Sequence, residues 1–387
     1  MCIKLLISIF MLLVPVTVYS QPSITGVTPS SFANGDSITI SGSNFGSTGP
    51  TIVVFDDFEK GTNGNPISTL AGSATVNEWD AILYTTYSTA QAHSGTKSVR
   101  FNFGDAYNYG GDRQLSVNTT GSTRIYMSFW MLVPTGSYIP GVNTADGGNW
   151  KFALITGQPW PKSDYVVVLL GDVGGDYQAP NPWYDSSGLS ITGYGTNTLA
   201  KNRWHRWEWY AVGSSASSGA MQTWETNSGN ARHYIGGGTG LTTLHSDDTW
   251  DWVDFPAYAR VDGTAINYHD DVYVATGDAA QARVEIGNNA TYSNCTNLAI
   301  ITPTSWSNTS ITATVRTGSF SDGTAYLFVI NSDGTASSGK EITIGSGGGD
   351  TTAPTVSIST SDPSSTTSKS FTIAGTSSDT VGVTEVT

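Results

Sequence analysis

Cysteine is nearly absent: the 387 residues hold two, Cys2 and Cys295. Cys2 precedes the apolar run of the leader, where a lipoprotein cysteine would follow it. Only Cys295 remains once the leader is cut away, so no disulfide framework can staple the fold. Charge is scarce too, at 12% of residues, with 17 Lys and Arg against 31 Asp and Glu. The formal charge of −14, one unit more negative without Lys4, excludes nucleic acid as a partner, because that recognition needs concentrated cations. Acidity of this kind in an exported chain goes with solubility or with divalent cations. No amphipathic helical run occurs. The motifs HEXXH, GXSXG and paired CXXC are missing, which removes the common zinc-protease and α/β-hydrolase readings. Long apolar runs are missing as well, apart from "LLISIFMLLVPVTV" near the start. It is shorter than the ~20 residues that span a bilayer and contains Pro15. With Lys4 before it and the small residues Val18 and Ser20 after it, residues 1–20 read as a secretory signal. The expectation is a secreted or cell-surface protein with no membrane insertion after cleavage.

What is abundant is glycine, at 44 residues, and aromatic side chains, at 11%. That balance favours turn-rich β structure. The stretch "SITGVTPSSFANGDSITISGSNFG", residues 23–46, opens a small sandwich that its continuation does not complete. Alternating strands of the same kind return far downstream in "SITATV", "TAYLFVIN" and "KEITIG", punctuated by the turn signals "SDG" and "NSDG". The pattern P-x-I-x-x-V-x-P followed by G-x-x-x-x-I-x-G-x-N-F-G, from Pro22 to Gly46, resembles the IPT/TIG family. The resemblance implies an immunoglobulin-like sandwich made of residues 21–50 and 280–345, together about the size of one such domain. Residues 51–279 are then an insertion, tolerated when its ends lie close together. "TIVVFDDFE" and "YHDDVYVAT" are the expected neighbouring strands at those ends. Residues 346–354 form a Gly/Ser linker. Residues 355–387 resemble the first strands of a bacterial Ig-like repeat and stop mid-fold, so further Ig-like domains are expected beyond residue 387.

The insertion is rich in long aromatic strands such as "RIYMSFWMLVP", "NRWHRWEWYAVG" and "HDDVYVAT". Spaced by Gly, Asn and Asp turns, they predict two large antiparallel sheets. "HSGTKSVRF", "YMSFWMLVP", "NRWHRWEWY" and "DDVYV" resemble the concanavalin A-like jelly rolls. The expected fold is thus all-β: an immunoglobulin-like sandwich hosting a large antiparallel jelly-roll sandwich. In "NRWHRWEWY" the period of two puts Trp207 and Trp209 with His205 on one face, read as core. Arg206, Glu208 and Tyr210 fall on the other, where the resemblance implies a concave groove.

All Trp except Trp306, and all His, lie in the insertion. Indole faces stack on sugar rings while carboxylates, amides and Arg bond hydroxyls, so an aromatic-lined groove suits a polysaccharide. The alternative is that most of these Trp fill a thick core. Loop positions expected to be exposed are Trp160, Trp183, Trp250 and Trp252. Asp57, Glu59 and Asp271 could converge if the first and last strands of the insertion pair. Hard oxygen ligands of that kind suit a structural Ca²⁺, the only cofactor expected and one the jelly-roll resemblance also implies; the other reading is solvated strand ends. "HSDDTWDWVD" lacks EF-hand spacing and reads as acidic surface.

An enzyme in this setting would be a polysaccharide lyase or glycosidase. The E-x-D-x-x-E strand of one jelly-roll glycosidase group is absent, as are R-x-E-L-R, Q-I-H and Y-F-K-x-G of jelly-roll alginate lyases. A lyase needs a Tyr or His base and an Arg or Gln to neutralise the uronate. Arg206, Glu208, His205 and His269, with Arg113 and Tyr268, offer that chemistry without a spacing that ties them together. Cys295 reads as a small packed residue. The favoured expectation is a secreted polysaccharide-binding module. The alternatives are a lyase or glycosidase using the same groove, and a structural surface protein or adhesin.

Overall fold

The computed structural model describes residues 20–83, 85–102, 115–137, 149–157, 165–169, 171–173, 176–178, 183–184, 198–244, 249–255, 258–260, 265–345, 355–359 and 375–378. Among them every regular element is a β-strand except one 3-10 turn, Tyr292–Asn294. Residues 1–19, nearly all of the expected signal, lie outside the described residues, as do Arg113 and Trp160. The protein is all-β.

Strands from both ends of the chain share one sheet path. Across it run Ser23–Thr28, Ser37–Ser43, Ser310–Thr314, Leu298–Trp306, Arg283–Gly287, Gly323–Ile330, Lys340–Ile344 and Ser31–Phe32. Near and far sequence meet in the antiparallel ladder of Ser37–Ser43 with Ser310–Thr314, where Ile40 faces Ile311 and Ile38 faces Ala313. Alternation along each strand sends these side chains inward, so a one-residue slip would turn them all to solvent. Ser23–Thr28 reaches across to Gly323–Ile330 and Lys340–Ile344, so the path curls into a near-barrel around Phe32, Ile40, Phe45, Val284 and Leu327. A Cβ at Gly42 would lie 2.0 Å from the Ser23 carbonyl oxygen and 2.5 Å from the Phe45 ring. Glycine in "SGSNFG" therefore lets the strands approach while Phe45 fills the interior.

Among the described residues, 51–276 form a small sheet of Gly171–Val173, Asp176–Gln178 and Thr198–Leu199 and two large sheets that face one another. One carries Trp183–Tyr184, Tyr165–Leu169, Asn149–Thr156, Trp250–Asp254, Leu115–Ser122 and Ala81–Ile82, with Tyr258–Arg260 also on Asn149–Thr156. The other carries Asn230–Leu241, Gly219–Asn227, Trp204–Val212, Arg124–Leu132, Ile266–Thr276, Ser98–Asn102 and Thr85–Ser88, with Thr51–Asp56 also on Ile266–Thr276. That last pairing sets Asp56 opposite Val272 and Thr51 opposite Thr276, so this central body begins and ends on adjacent strands. Its core is aromatic: Trp79, Trp207, Trp209, Trp250, Phe129, Phe152 and Phe255 are buried between the sheets. Each such side chain contributes about 2 kcal/mol or more by leaving water.

Part of the outer face of the second sheet is covered by the near-barrel, the terminal body of the chain. Phe55, Tyr126, Tyr273 and Ala275 pack there against Ala280 and Ile300, with Tyr210 at the margin. This corrects the expectation for Arg206, Glu208 and Tyr210. They do lie opposite Trp207 and Trp209, but that face is an internal boundary: Arg206 is 1% and Glu208 0% exposed. Trp250 is likewise corrected, being a core residue of strand Trp250–Asp254, and Asp251 and Asp254 of the same acidic run are buried. Trp252 is partly exposed and sits outside the core, opposite Thr156. Trp183 pairs with Val167. Residues 355–358 and 375–378 form a separate two-stranded ladder.

Candidate functional site

Three groups of functional side chains meet where the two bodies touch. The first is a buried charge network. Strand Trp204–Val212 presents Arg206 and Glu208; strand Arg283–Gly287 presents Arg283 and Glu285 with the same R-x-E spacing. The pairs cross: Arg206 donates to Glu285 at 2.5 Å and Arg283 to Glu208 at 3.4 Å, while Arg206 also donates to Glu208 and Arg283 to Glu285. Arg232 adds a forked contact to Glu208, and the Tyr292 hydroxyl donates to Glu285. Despite desolvation, which works the other way, the Arg206, Arg232 and Arg283 guanidiniums hold the Glu208 carboxyl well below the usual carboxylate range. Burial likewise opposes ionisation of Glu285, yet Arg206 and Arg283 lower its pKa. At 1% and 0% exposure, neither Arg206 nor Glu208 is open to a sugar at the surface.

His205 and His269 are equally inaccessible. His205 Nδ1 lies 2.7 Å from Glu225 Oε1, both side chains being 1% exposed. His269 is sealed among Phe101, Phe129 and Phe255, and desolvation lowers its pKa to about 3. Tyr268 is buried beside it. None of the three is more than 6% exposed.

The second group is acidic. Asp57, Glu59 and Asp271 line one small cavity of about 120 Å³. Each is already engaged: Asp57 accepts from Thr75 Oγ1, Glu59 from the Thr96 and Lys97 amides and Lys97 Nζ, and Asp271 from Ser94 Oγ. Arg316 lines the same space. Among the described residues no cluster of three or more His, Cys, Asp or Glu is arranged to hold a metal ion. The donor set does not fit a calcium cradle.

The third group is open. A cleft of about 470 Å³ at the seam is lined by His93, Trp130, Arg203 and Trp204 from the central body and by Asn288, Asn297 and Ser319 from the terminal body. His93 stacks on Trp130 with centroids 3.8 Å apart, and Trp204 meets the His93 ring edge-on at 5.7 Å. A bulge in strand Ile266–Thr276, between Asp270 and Tyr273, positions the imidazole. Asp270 is buried there and accepts the His93 and Ser94 amides, pinning the "HSG" loop. Burial, reinforced by neighbouring Asp271, pushes the Asp270 carboxyl well above its ordinary value. Asp271 follows in a left-handed conformation, φ 47°, which aims its carboxylate back at His93 Nδ1, 3.0 Å away. A bulge that re-aims a side chain and a positive φ at a non-glycine residue both mark positions held against local preference.

Sequence reading singled out Asp271 for a different role and missed His93, Trp130, Arg203 and Ser319. His93 and Ser319 are 226 positions apart, and no spacing rule links them. The one available signal was "HSGTKSVRF", read for its fold alone.

No family model and no curated protein matches this chain. Solved structures similar to it include an endo-β-1,4-glucuronan lyase from Trichoderma reesei, 14% identical, covering 57% of this chain and 98% of that one, with a TM-score of 0.39. An alginate lyase from Aplysia kurodai is 12% identical over 59% of this chain and 100% of its own, with the same TM-score of 0.39. The lectin-like arcelin-5 of Phaseolus vulgaris is 8% identical over 50% of this chain and 92% of its own, at 0.28. None of these likenesses carries an activity over to this chain.

Proposed function

We propose that the chain is an extracellular carbohydrate-active protein in which an immunoglobulin-like host, residues 21–50 and 280–345, carries an inserted jelly roll, residues 51–279. The seam cleft holds a segment of polysaccharide. The observation that carries this reading is the partly exposed Trp204 ring beside Arg203 and Asn297 in a space of about 470 Å³, backed by His93 and, behind the imidazole, by Trp130, which is 3% exposed. The Trp204 ring takes the C–H face of a sugar, and the cation and amide take its carboxylate or hydroxyls. Affinity electrophoresis against a panel of neutral and uronate polysaccharides tests it. Retardation by at least one glycan is expected, weakened about tenfold by Trp204→Ala, as loss of one stacking contact predicts. Unchanged retardation in the variant would refute the assignment.

Uronate cleavage is a second reading, favoured by His93 Nε2 and Arg203 opening onto the same cleft. Arg203 would neutralise the uronate carboxylate and His93, oriented by Asp271, would take the α-proton. Growth of unsaturated-product absorbance, lost in His93→Gln, is the corresponding readout.

A further inference from the structure

We propose that Ser319, His93 and Asp271 form a nucleophile, base and orienting carboxylate that hydrolyse ester groups on the bound polysaccharide. Ser319 Oγ lies 3.3 Å from His93 Nε2, and His93 Nδ1 lies 3.0 Å from Asp271 Oδ2. In the tautomer that donates from Nδ1 to the Asp271 carboxylate, Nε2 is left to accept from the serine hydroxyl. Ser94 Oγ donates to the other Asp271 oxygen at 2.8 Å, fixing the carboxylate. Trp130, stacked on the imidazole at 3.8 Å, locks the ring plane and stabilises the imidazolium that forms when the proton arrives.

Ser319 itself is exposed at the cleft, on a turn that only glycine permits: Gly318 has φ 54°, and a Cβ there would lie 2.8 Å from the Ala299 Cβ. The Asn297 amide meets Ser319 Oγ through Nδ2 at 3.1 Å and Oδ1 at 3.3 Å, so it holds the hydroxyl at the cleft and can turn Nδ2 toward the acyl oxygen where charge develops. The three residues come from three separate segments and from both bodies. Such relays are recognised by geometry and roles, so the missing GXSXG motif does not count against one here.

The chemistry balances without an oxidant or a metal. Ser319 Oγ attacks the acyl carbon as its proton passes to His93 Nε2, and the carbonyl electrons move onto oxygen beside Asn297 Nδ2. Collapse breaks the acyl C–O bond, and the departing sugar alkoxide takes the proton from Nε2. Water then attacks the acyl-serine by the same route, releasing a carboxylic acid and restoring Ser319. The substrate class, an O-acylated sugar, rests on the glycan reading above; the reactivity of Ser319 does not.

The test uses the full chain, a fluorophosphonate probe with peptide mapping, and p-nitrophenyl acetate turnover. One adduct, on Ser319, is expected. Ser319→Ala, a change at an exposed side chain, should remove the adduct and lower kcat/KM at least a hundredfold with unchanged thermal unfolding. Asp271→Asn, which tolerates the left-handed backbone, should slow both reactions and displace the pH profile of turnover. A folded protein without an adduct at Ser319, or Ser319→Ala turning over at the wild-type rate, would overturn the proposal. Glycan retardation with an inert Ser319 sinks the relay and spares the binding reading. Labelling of Ser319 without retardation by any glycan does the reverse, and uronate cleavage surviving Ser319→Ala assigns His93 to elimination instead.

Discussion

At the scale of single residues, the titration of buried carboxylates is the property most open to measurement. Burial pushes the Asp56 carboxyl from its ordinary 3.8 up to about 7, against hydrogen bonds donated by Trp79 Nε1 and the Phe58 amide. Between those two values the folded protein keeps a proton that the unfolded chain has lost. This contribution to stability is therefore fully present below pH 3.8 and disappears as pH rises through about 7. Asp56→Asn removes the titration, although its amide cannot accept from both donors and lowers stability at every pH. The expected result is a flatter pH dependence: denaturant unfolding at pH 4.5 and 7.5 should show a smaller loss of stability in the variant than in the wild type. Equal losses would mean that Asp56 is ionised throughout. Cys295 shows the same physics in another group, its thiol pushed to about 11 by burial beneath Leu298 and Phe328.

At the scale of elements, the two R-x-E strands explain why part of the outer face of the Trp204–Val212 sheet is closed. Each strand alternates apolar and charged residues, and neither could bury its charged face against an apolar partner. Facing one another, they join the pair within each strand into one network, in which Arg206 reaches Glu285 and Arg283 reaches Glu208. A buried pair of this kind adds little net stability over apolar packing, yet breaking one side strands a charge and costs about 3–5 kcal/mol. Arg206→Ala should therefore destabilise the protein by that amount, measured by denaturant unfolding. Glu285→Ala should do likewise, and the double variant should lose less than the sum, since each change has already orphaned the other's partner. Additive losses would show that the crossed pairs do not act as a unit.

The same strands show what was legible in the sequence. Period-two alternation correctly set Trp207 and Trp209 on the core side, because sheet geometry alone fixes which residues share a face. Alternation cannot say what the opposite face meets, so Arg206, Glu208 and Tyr210 read as a solvent-facing groove. Identical R-x-E spacing in "HRWEWY" and "ARVEIG" was a clue to mutual burial, but register between distant strands is not written in either. Trp250 failed for a related reason: flanked by Asp, it looked like a loop residue, although Asp254 is satisfied internally by Ser116 Oγ. The cleft was out of reach, since His93, Arg203 and Ser319 converge only through docking of segments far apart in the chain.

At the scale of the whole molecule, the seam makes a prediction about cooperativity. An insertion joined to its host by two crossings alone would unfold independently, as loosely tethered domains do. Here Phe55, Tyr126 and Tyr273 are buried against Ala280 and Ile300, and the crossed ion pairs tie the same boundary. Separation would expose that apolar surface and break the pairs Arg206–Glu285 and Arg283–Glu208. The two bodies should consequently unfold in one transition. The chain carries its own reporters: every Trp but Trp306 lies in residues 51–279, while buried Cys295, the only thiol after residue 20, lies in the terminal body. Tryptophan fluorescence and the reactivity of Cys295 toward a thiol reagent, followed across one denaturant series, should give superimposable curves. Arg206→Ala should shift both together. If Cys295 became reactive well before the fluorescence changed, the terminal body would be opening by itself. A seam that weak could not hold Ser319 and Asn297 in place opposite His93.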